Sequence, residues 1–148
     1  MNPIEPPRYR RTPSGGDLQI EVTAADWPAL LAAATLSLSD VVHPLGSFET
    51  WTARRMTAKG TGPTEVLEKW LRDVLEDHKT SGFLPALVEV EKAEPSRAVG
   101  IHRGGIEGTG STGMASGRTF VLRAGKTSVT PASGGTPWEA RFVVGSST

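Results

Sequence analysis

One stretch constrains the fold more than any other, because residues 63–91 combine a helix start, a helical body, a stop signal and a strand. Pro63 suits the first turn of a helix, and Gly82 can adopt the left-handed conformation that ends one. Between them, apolar residues recur at intervals of three and four and form one stripe: Val66, Leu67, Trp70, Leu71, Val74 and Leu75. The pattern predicts an amphipathic helix from about Pro63 to Thr80, followed by a strand at 85–91.

A second amphipathic helix is predicted at residues 27–42, with Asp26 as its N-cap. Alternating apolar and polar residues predict strands around the two helices, at 18–22, 48–58, 97–103, 119–123, 126–130 and 138–144, and Tyr9 favours a short edge strand. The two helical stripes need a shared apolar surface, and the strands come in runs. The sequence therefore predicts an α+β domain, with two amphipathic helices packed on one face of a mostly antiparallel sheet.

The predicted domain covers residues 9–145 and follows a flexible N-terminal arm at residues 1–8, which is rich in proline. Residues 104–117 contain six glycines and no periodic pattern, which predicts a flexible loop. The core is predicted from residues on the helical stripes and on the inner sides of the strands: Ile20, Trp27, Leu31, Leu38, Trp70, Leu71, Val74, Val88, Val90 and Phe142.

Composition excludes several classes of function. Lysine plus arginine equals aspartate plus glutamate, 16 against 16, so no overall field attracts nucleic acid or an anionic membrane. The absence of cysteine excludes disulfides, thiolate metal sites and cysteine nucleophiles. No apolar run approaches the roughly 20 residues of a membrane helix. We therefore expect a cytoplasmic protein without direct nucleic-acid binding and without a membrane partner.

Residues suited to catalysis are scattered along the chain. His43, His78 and His102 lie far apart in sequence, and each has an ordinary structural interpretation, with His102 on the polar side of its strand. No catalytic residue is predicted, and a protein cofactor or binding module is favoured over an enzyme. Asp17 stands apart, because it lies in a glycine turn directly before a strand. Such a carboxylate can bind a hard cation, although turns more often use aspartate for their own hydrogen bonds.

The run from Val66 to Leu75, the turn at residues 80–84 and the strand at 88–90 resemble the central helix and following strand of the archease family. Residues 17–22 and 27–42 resemble the first strand and helix of that family, and residues 138–144 resemble its last strand. The resemblance covers most of residues 9–145. It implies the archease fold.

Archeases are small protein cofactors of the RtcB-type RNA ligase, which they help to guanylylate during tRNA splicing or RNA repair. The resemblance therefore implies a protein partner of that kind. It also implies a divalent cation, Ca²⁺, Mg²⁺ or Mn²⁺, which the family holds with an acidic motif before the first strand and an aspartate at the end of the last strand.

In this chain the acidic motif falls on residues 13–17 and the final aspartate falls near Gly145, so that only Asp17 keeps a carboxylate. One carboxylate cannot hold a hard cation, which needs several oxygen ligands. We therefore expect no cofactor unless other residues, such as Glu49 or Glu139, rebuild the site. Two hypotheses remain: an archease-like cofactor of an RtcB-type ligase, and a metal-free interaction module that kept the scaffold and lost the activity.

Overall fold

A computed structural model of the chain describes residues 8–42, 51–106 and 120–146. Within these ranges the chain forms two helices and eight strands. In chain order they are β1 (Arg8–Ser14), β2 (Asp17–Ala24), α1 (Trp27–Val42), β3 (Trp51–Lys59), α2 (Pro63–Ser81), β4 (Phe83–Glu94), β5 (Arg97–Ile106), β6 (Phe120–Leu122), β7 (Ser128–Thr130) and β8 (Trp138–Ser146).

The strands form two antiparallel sheets. The first sheet has the order β1-β2-β8-β6, with β7 also paired to β8, and the second has the order β3-β5-β4. The α+β class, with two helices and antiparallel strands, is confirmed. The strands form two sheets where one was predicted, and each helix packs against both of them. Helix α1 contacts β2 and β8 of the first sheet and β4 of the second, and α2 likewise contacts strands of both sheets.

Helix α1 begins, and helix α2 ends, at the residues that local chemistry predicts. The backbone N–H of Ala29 donates to Oδ1 of Asp26 at 2.8 Å, which confirms the cap of α1. Helix α2 ends at Ser81, after which Gly82 has a φ of 78° and its N–H donates to the carbonyl of His78 at 2.8 Å. A residue with a side chain rarely adopts that φ, so Gly82 fixes the turn that leads into β4.

The centre of the core is Trp70, whose side chain is fully buried. Its Nε1 donates to Oγ1 of Thr35 at 2.8 Å, which joins α2 to α1. A Cβ placed on Gly100 of β5 would lie 3.0 Å from Cη2 of Trp70, so the ring rests directly on the strand backbone. The predicted core is buried as expected, except that Val88 and Val90 are half-buried and pack against it.

The prediction for His102 is wrong. The residue is 1% exposed on the inward side of β5, where its ring meets Trp70 edge-on with centroids 5.0 Å apart. The branched residues Val99 and Ile101 suggested the opposite face, but the helix packs against the side with small residues, Ala98 and Gly100, because those leave room for Trp70. Burial lowers the pKa of His102 to about 4, since a charged imidazole there would lose its hydration.

Strand β1 confirms the edge strand predicted at Tyr9 and begins at Arg8, the last residue of the predicted arm. Its partner is β2, and Tyr9 also donates a hydrogen bond to Oδ2 of Asp40 on α1 at 2.8 Å. Arg11 forms an ion pair with the same carboxylate. The hydrogen bond to Asp40 raises the pKa of Tyr9. These contacts hold β1 against the end of α1.

The predicted glycine loop begins later than expected, because β5 extends through Ile106. Residues 107–117, like residues 1–7 of the predicted arm, lie outside the described residues, so the flexibility of both segments and the domain boundary stay predictions. In the described part of the chain, neither helix has the length and apolar character needed to cross a membrane.

Replacement of Trp70 by alanine tests the centre of the core. We expect Trp70→Ala to lower the free energy of unfolding by about 3–5 kcal/mol, because the change removes a fully buried ring and leaves a cavity. Leu87→Ala is the matched control, since Leu87 is 51% exposed and its loss should change stability by less than about 1 kcal/mol. Urea denaturation measures both. An unchanged midpoint for Trp70→Ala would refute the assignment.

The burial of His102 predicts how stability depends on pH. Its pKa is about 4 in the folded chain and near 6.5 in the unfolded chain, so the unfolded state binds more protons between these values. Stability attributable to His102 is therefore complete above pH 6.5 and is lost as the pH falls toward 4, by at most about 1.4 kcal/mol per pH unit. Denaturation of the wild type and His102→Gln across this range should show a shallower slope in the variant. Equal slopes would contradict the burial of a neutral imidazole.

Candidate functional site

Asp17 is the first residue of β2, at one end of the first sheet. The hairpin turn before it contains Gly15 and Gly16, which have φ angles of 57° and 91°. Ser14 and Asp17 pair across this turn, which fixes where the carboxylate leaves the backbone. The side chain of Asp17 is 29% exposed, so it contacts both solvent and other protein atoms.

The partner of Asp17 is Arg123. Nη2 of Arg123 donates to Oδ1 of Asp17 at 3.0 Å, and Nε donates to the same oxygen at 3.3 Å. Arg123 follows β6 directly, and its backbone N–H donates to the carbonyl of Val143 at 2.9 Å. Strand β8 therefore positions the residue whose side chain neutralises Asp17.

Gly145 completes the arrangement. It lies on β8, where it pairs with Val121 of β6. A Cβ placed on Gly145 would lie 2.5 Å from both Cζ and Nε of Arg123, a distance that real Cβ atoms do not reach. The guanidinium thus occupies the space into which a side chain at position 145 would project. It can lie there because residue 145 is glycine.

A cleft of about 460 Å³ opens beside the ion pair. Its walls come from both helix and sheet, with polar and apolar surface in nearly equal parts: Gly16, Asp17, Leu18, Val41, Phe120, Val144 and Gly145. The cleft therefore combines polar surface, including Asp17, with apolar surface. A surface of this kind suits contact with an apolar group next to a polar one, on a small ligand or on another protein.

Sequence reasoning placed a cation at Asp17 only if other ligands rebuilt the site, and the described residues do not supply them. Among residues 8–42, 51–106 and 120–146, no cluster of three or more histidine, aspartate or glutamate side chains could hold a metal. Glu139 pairs with Thr23 at the far end of β2 from Asp17, and its carboxylate lies 3.4 Å from Nε of Arg141. Glu49 lies outside the described residues. The residues that the structure describes do not fit the divalent ion that the resemblance implies.

Arg123 is the residue that sequence reasoning missed. It lies 106 positions from Asp17, and nothing in the spacing of either residue points to the other. The sequence contained only an indirect indication of this pair. An aspartate at the start of a strand needs a partner for its charge when a neighbouring strand shields it from water. Of the other candidates, His78 and His102 are buried on separate elements, and His43 lies outside the described residues.

Comparison with known proteins identifies the fold and the family. No curated protein matches the chain in sequence. Among solved structures, the solution structure of protein 1598 from Methanobacterium thermoautotrophicum is similar, with a TM-score of 0.60 and 17% identity, over 93% of this chain and 97% of that one. At this identity the likeness shows the fold alone.

The sequence itself matches the family model described as the archease protein family (MTH1598/TM1083) over residues 9–109. This region runs from β1 through both helices to the end of β5, and it ends before Arg123 and Gly145. It covers more than half of the 148 residues. The chain therefore belongs to the archease family.

Proposed function

We propose that this chain is a protein cofactor of an RtcB-type RNA ligase, acting in tRNA splicing or RNA repair in the cytoplasm. Membership of the archease family carries the proposal, because the matched region contains both helices and the whole second sheet. The function expected of archeases is to assist a ligase, so the chemistry belongs to the partner. The buried positions of His78 and His102 agree with this, since neither side chain is open to a substrate.

The charge balance supports a protein partner over direct binding of RNA. Basic and acidic residues are equal in number, 16 and 16, and many of them pair with each other on the surface. Proteins that bind nucleic acid through phosphates generally present a surplus of lysine and arginine. In this chain the cleft beside Asp17, with its mixed polar and apolar walls, is the candidate surface for contact with the ligase.

The ion pair between Asp17 and Arg123 favours a second candidate, a metal-free interaction module that kept the archease scaffold without its activity. In this alternative the chain binds a partner and does not change its catalysis. Asp17 then acts only as one half of an internal ion pair. The two candidates differ in what happens to the ligase after binding.

Reconstitution with the RtcB-type ligase of the same organism distinguishes the candidates. We expect the chain to bind the ligase and to raise both the rate of its guanylylation, followed with labelled GTP, and the number of ligation turnovers. Binding without any increase would support the interaction module. Absence of both binding and activation would refute both candidates.

A matched pair of substitutions tests the role of the cleft. Asp17→Asn removes the charge at the cleft, and Glu139→Gln makes the same chemical change at the other end of the first sheet. We expect Asp17→Asn to reduce activation of the ligase and Glu139→Gln to leave it unchanged. Equal effects of the two variants would show that the cleft is not the contact surface.

A further inference from the structure

We propose that the guanidinium of Arg123 is a built-in substitute for the divalent cation of this site. The resemblance assigns carboxylate ligands to the positions of Asp17 and Gly145, and in this chain both positions flank one guanidinium. The positive charge at the end of the first sheet is then part of the chain. The site is complete without metal.

The geometry of Gly145 and Asp17 supports this substitution. A side chain at position 145 would project onto the guanidinium, within 2.5 Å of its Cζ and Nε atoms. Asp17 reaches the same group from β2, with Oδ1 3.0 Å from Nη2. An aspartate at position 145 and Asp17 would therefore converge on the place that Arg123 now fills. The glycine at position 145 and the arginine at position 123 therefore depend on each other sterically.

The position of Arg123 is fixed by the backbone as well as by its ion pair. Its N–H donates to Val143 of β8 at 2.9 Å, and its carbonyl accepts a hydrogen bond from the N–H of Lys126 at 3.4 Å. The side chain therefore starts from a determined point beside β8. The guanidinium is covalently part of the chain, so its presence beside Asp17 does not depend on the concentration of any ion.

A divalent ion and this guanidinium exclude each other. Both carry positive charge, and both would need the carboxylate of Asp17, whose Oδ1 already accepts two N–H groups. A hard cation requires several oxygen ligands held together, and the neighbouring glycine supplies no side chain. Binding of metal at Asp17 would require Arg123 to leave, and no group of three or more acidic or histidine side chains among residues 8–42, 51–106 and 120–146 would take its place.

The first test measures the coupling between the two charges in the isolated chain, so its result does not depend on the identity of a partner. We expect Asp17→Asn and Arg123→Gln each to lower the melting temperature by about 1–2 °C, because a partly exposed ion pair contributes little to stability. The double variant should melt at a temperature no lower than that of the less stable single variant. Glu139→Gln is the control for loss of a carboxylate. Additive losses in the double variant would overturn the proposal.

The same melting experiment tests metal directly. A site that binds metal in the folded state alone raises the melting temperature as the concentration exceeds its Kd. We expect no change in the wild type with Ca²⁺, Mg²⁺ or Mn²⁺, and no change on addition of EDTA. A saturable rise that disappears in Asp17→Asn would overturn the proposal.

A third test reverses the proposed replacement of a carboxylate and a metal ion by an arginine. The double variant Arg123→Ala, Gly145→Asp removes the guanidinium and places a second carboxylate toward the vacated space. We expect this variant to bind Mn²⁺ saturably, measured by titration calorimetry, and to lose that binding when Asp17→Asn is added. Arg123→Ala alone is the control and should not bind. Failure of the folded double variant to bind Mn²⁺ would overturn the proposal, and if it does not fold, the coupling between Asp17 and Arg123 decides.

Discussion

The packing of Trp70 against β5 is the constraint on which the rest of the fold depends. The fully buried ring lies on the backbone of Gly100, meets His102 edge-on and donates a hydrogen bond to Thr35 of α1. It thus joins both helices to the second sheet through a single side chain. Because the ring needs this space, the inward side of β5 has small residues, and the imidazole that shares the space stays neutral.

An ion pair joins β2 of the first sheet to the residue that follows β6, at the end where β2 begins. Asp17 of β2 and Arg123 after β6 lie on either side of β8, and their ion pair connects segments that are 106 residues apart. The pair is partly exposed, and such pairs contribute little to stability, so its importance is in the chemistry of the site. The region that matches the family ends at residue 109, so it includes Asp17 but not Arg123.

The local features of the fold were predictable from sequence because their causes are local. The stripe of α2, its proline start and its glycine stop place the helix within one residue of its observed end. The cap at Asp26 is likewise a contact over three residues. The division of the strands into two sheets was not predictable in this way, because it depends on how two helices share apolar surface with distant strands.

The positions of two individual residues also depended on distant parts of the fold and could not be predicted from local sequence. For His102, alternation defined two faces of β5, but the choice of face depended on where Trp70 required space. For Arg123, the pairing with Asp17 depends on β8 bringing β2 and β6 together. Family resemblance implied a site at Asp17, which stays a prediction. It did not predict that Arg123 pairs with this carboxylate.

The most direct measurement of the central claim is a crystal structure of the chain grown with excess Mn²⁺ and recorded with anomalous scattering. We expect the guanidinium of Arg123 within hydrogen-bond distance of Asp17, in front of Gly145, and no anomalous peak at that carboxylate. A manganese peak bound to Asp17, with Arg123 turned away, would contradict it.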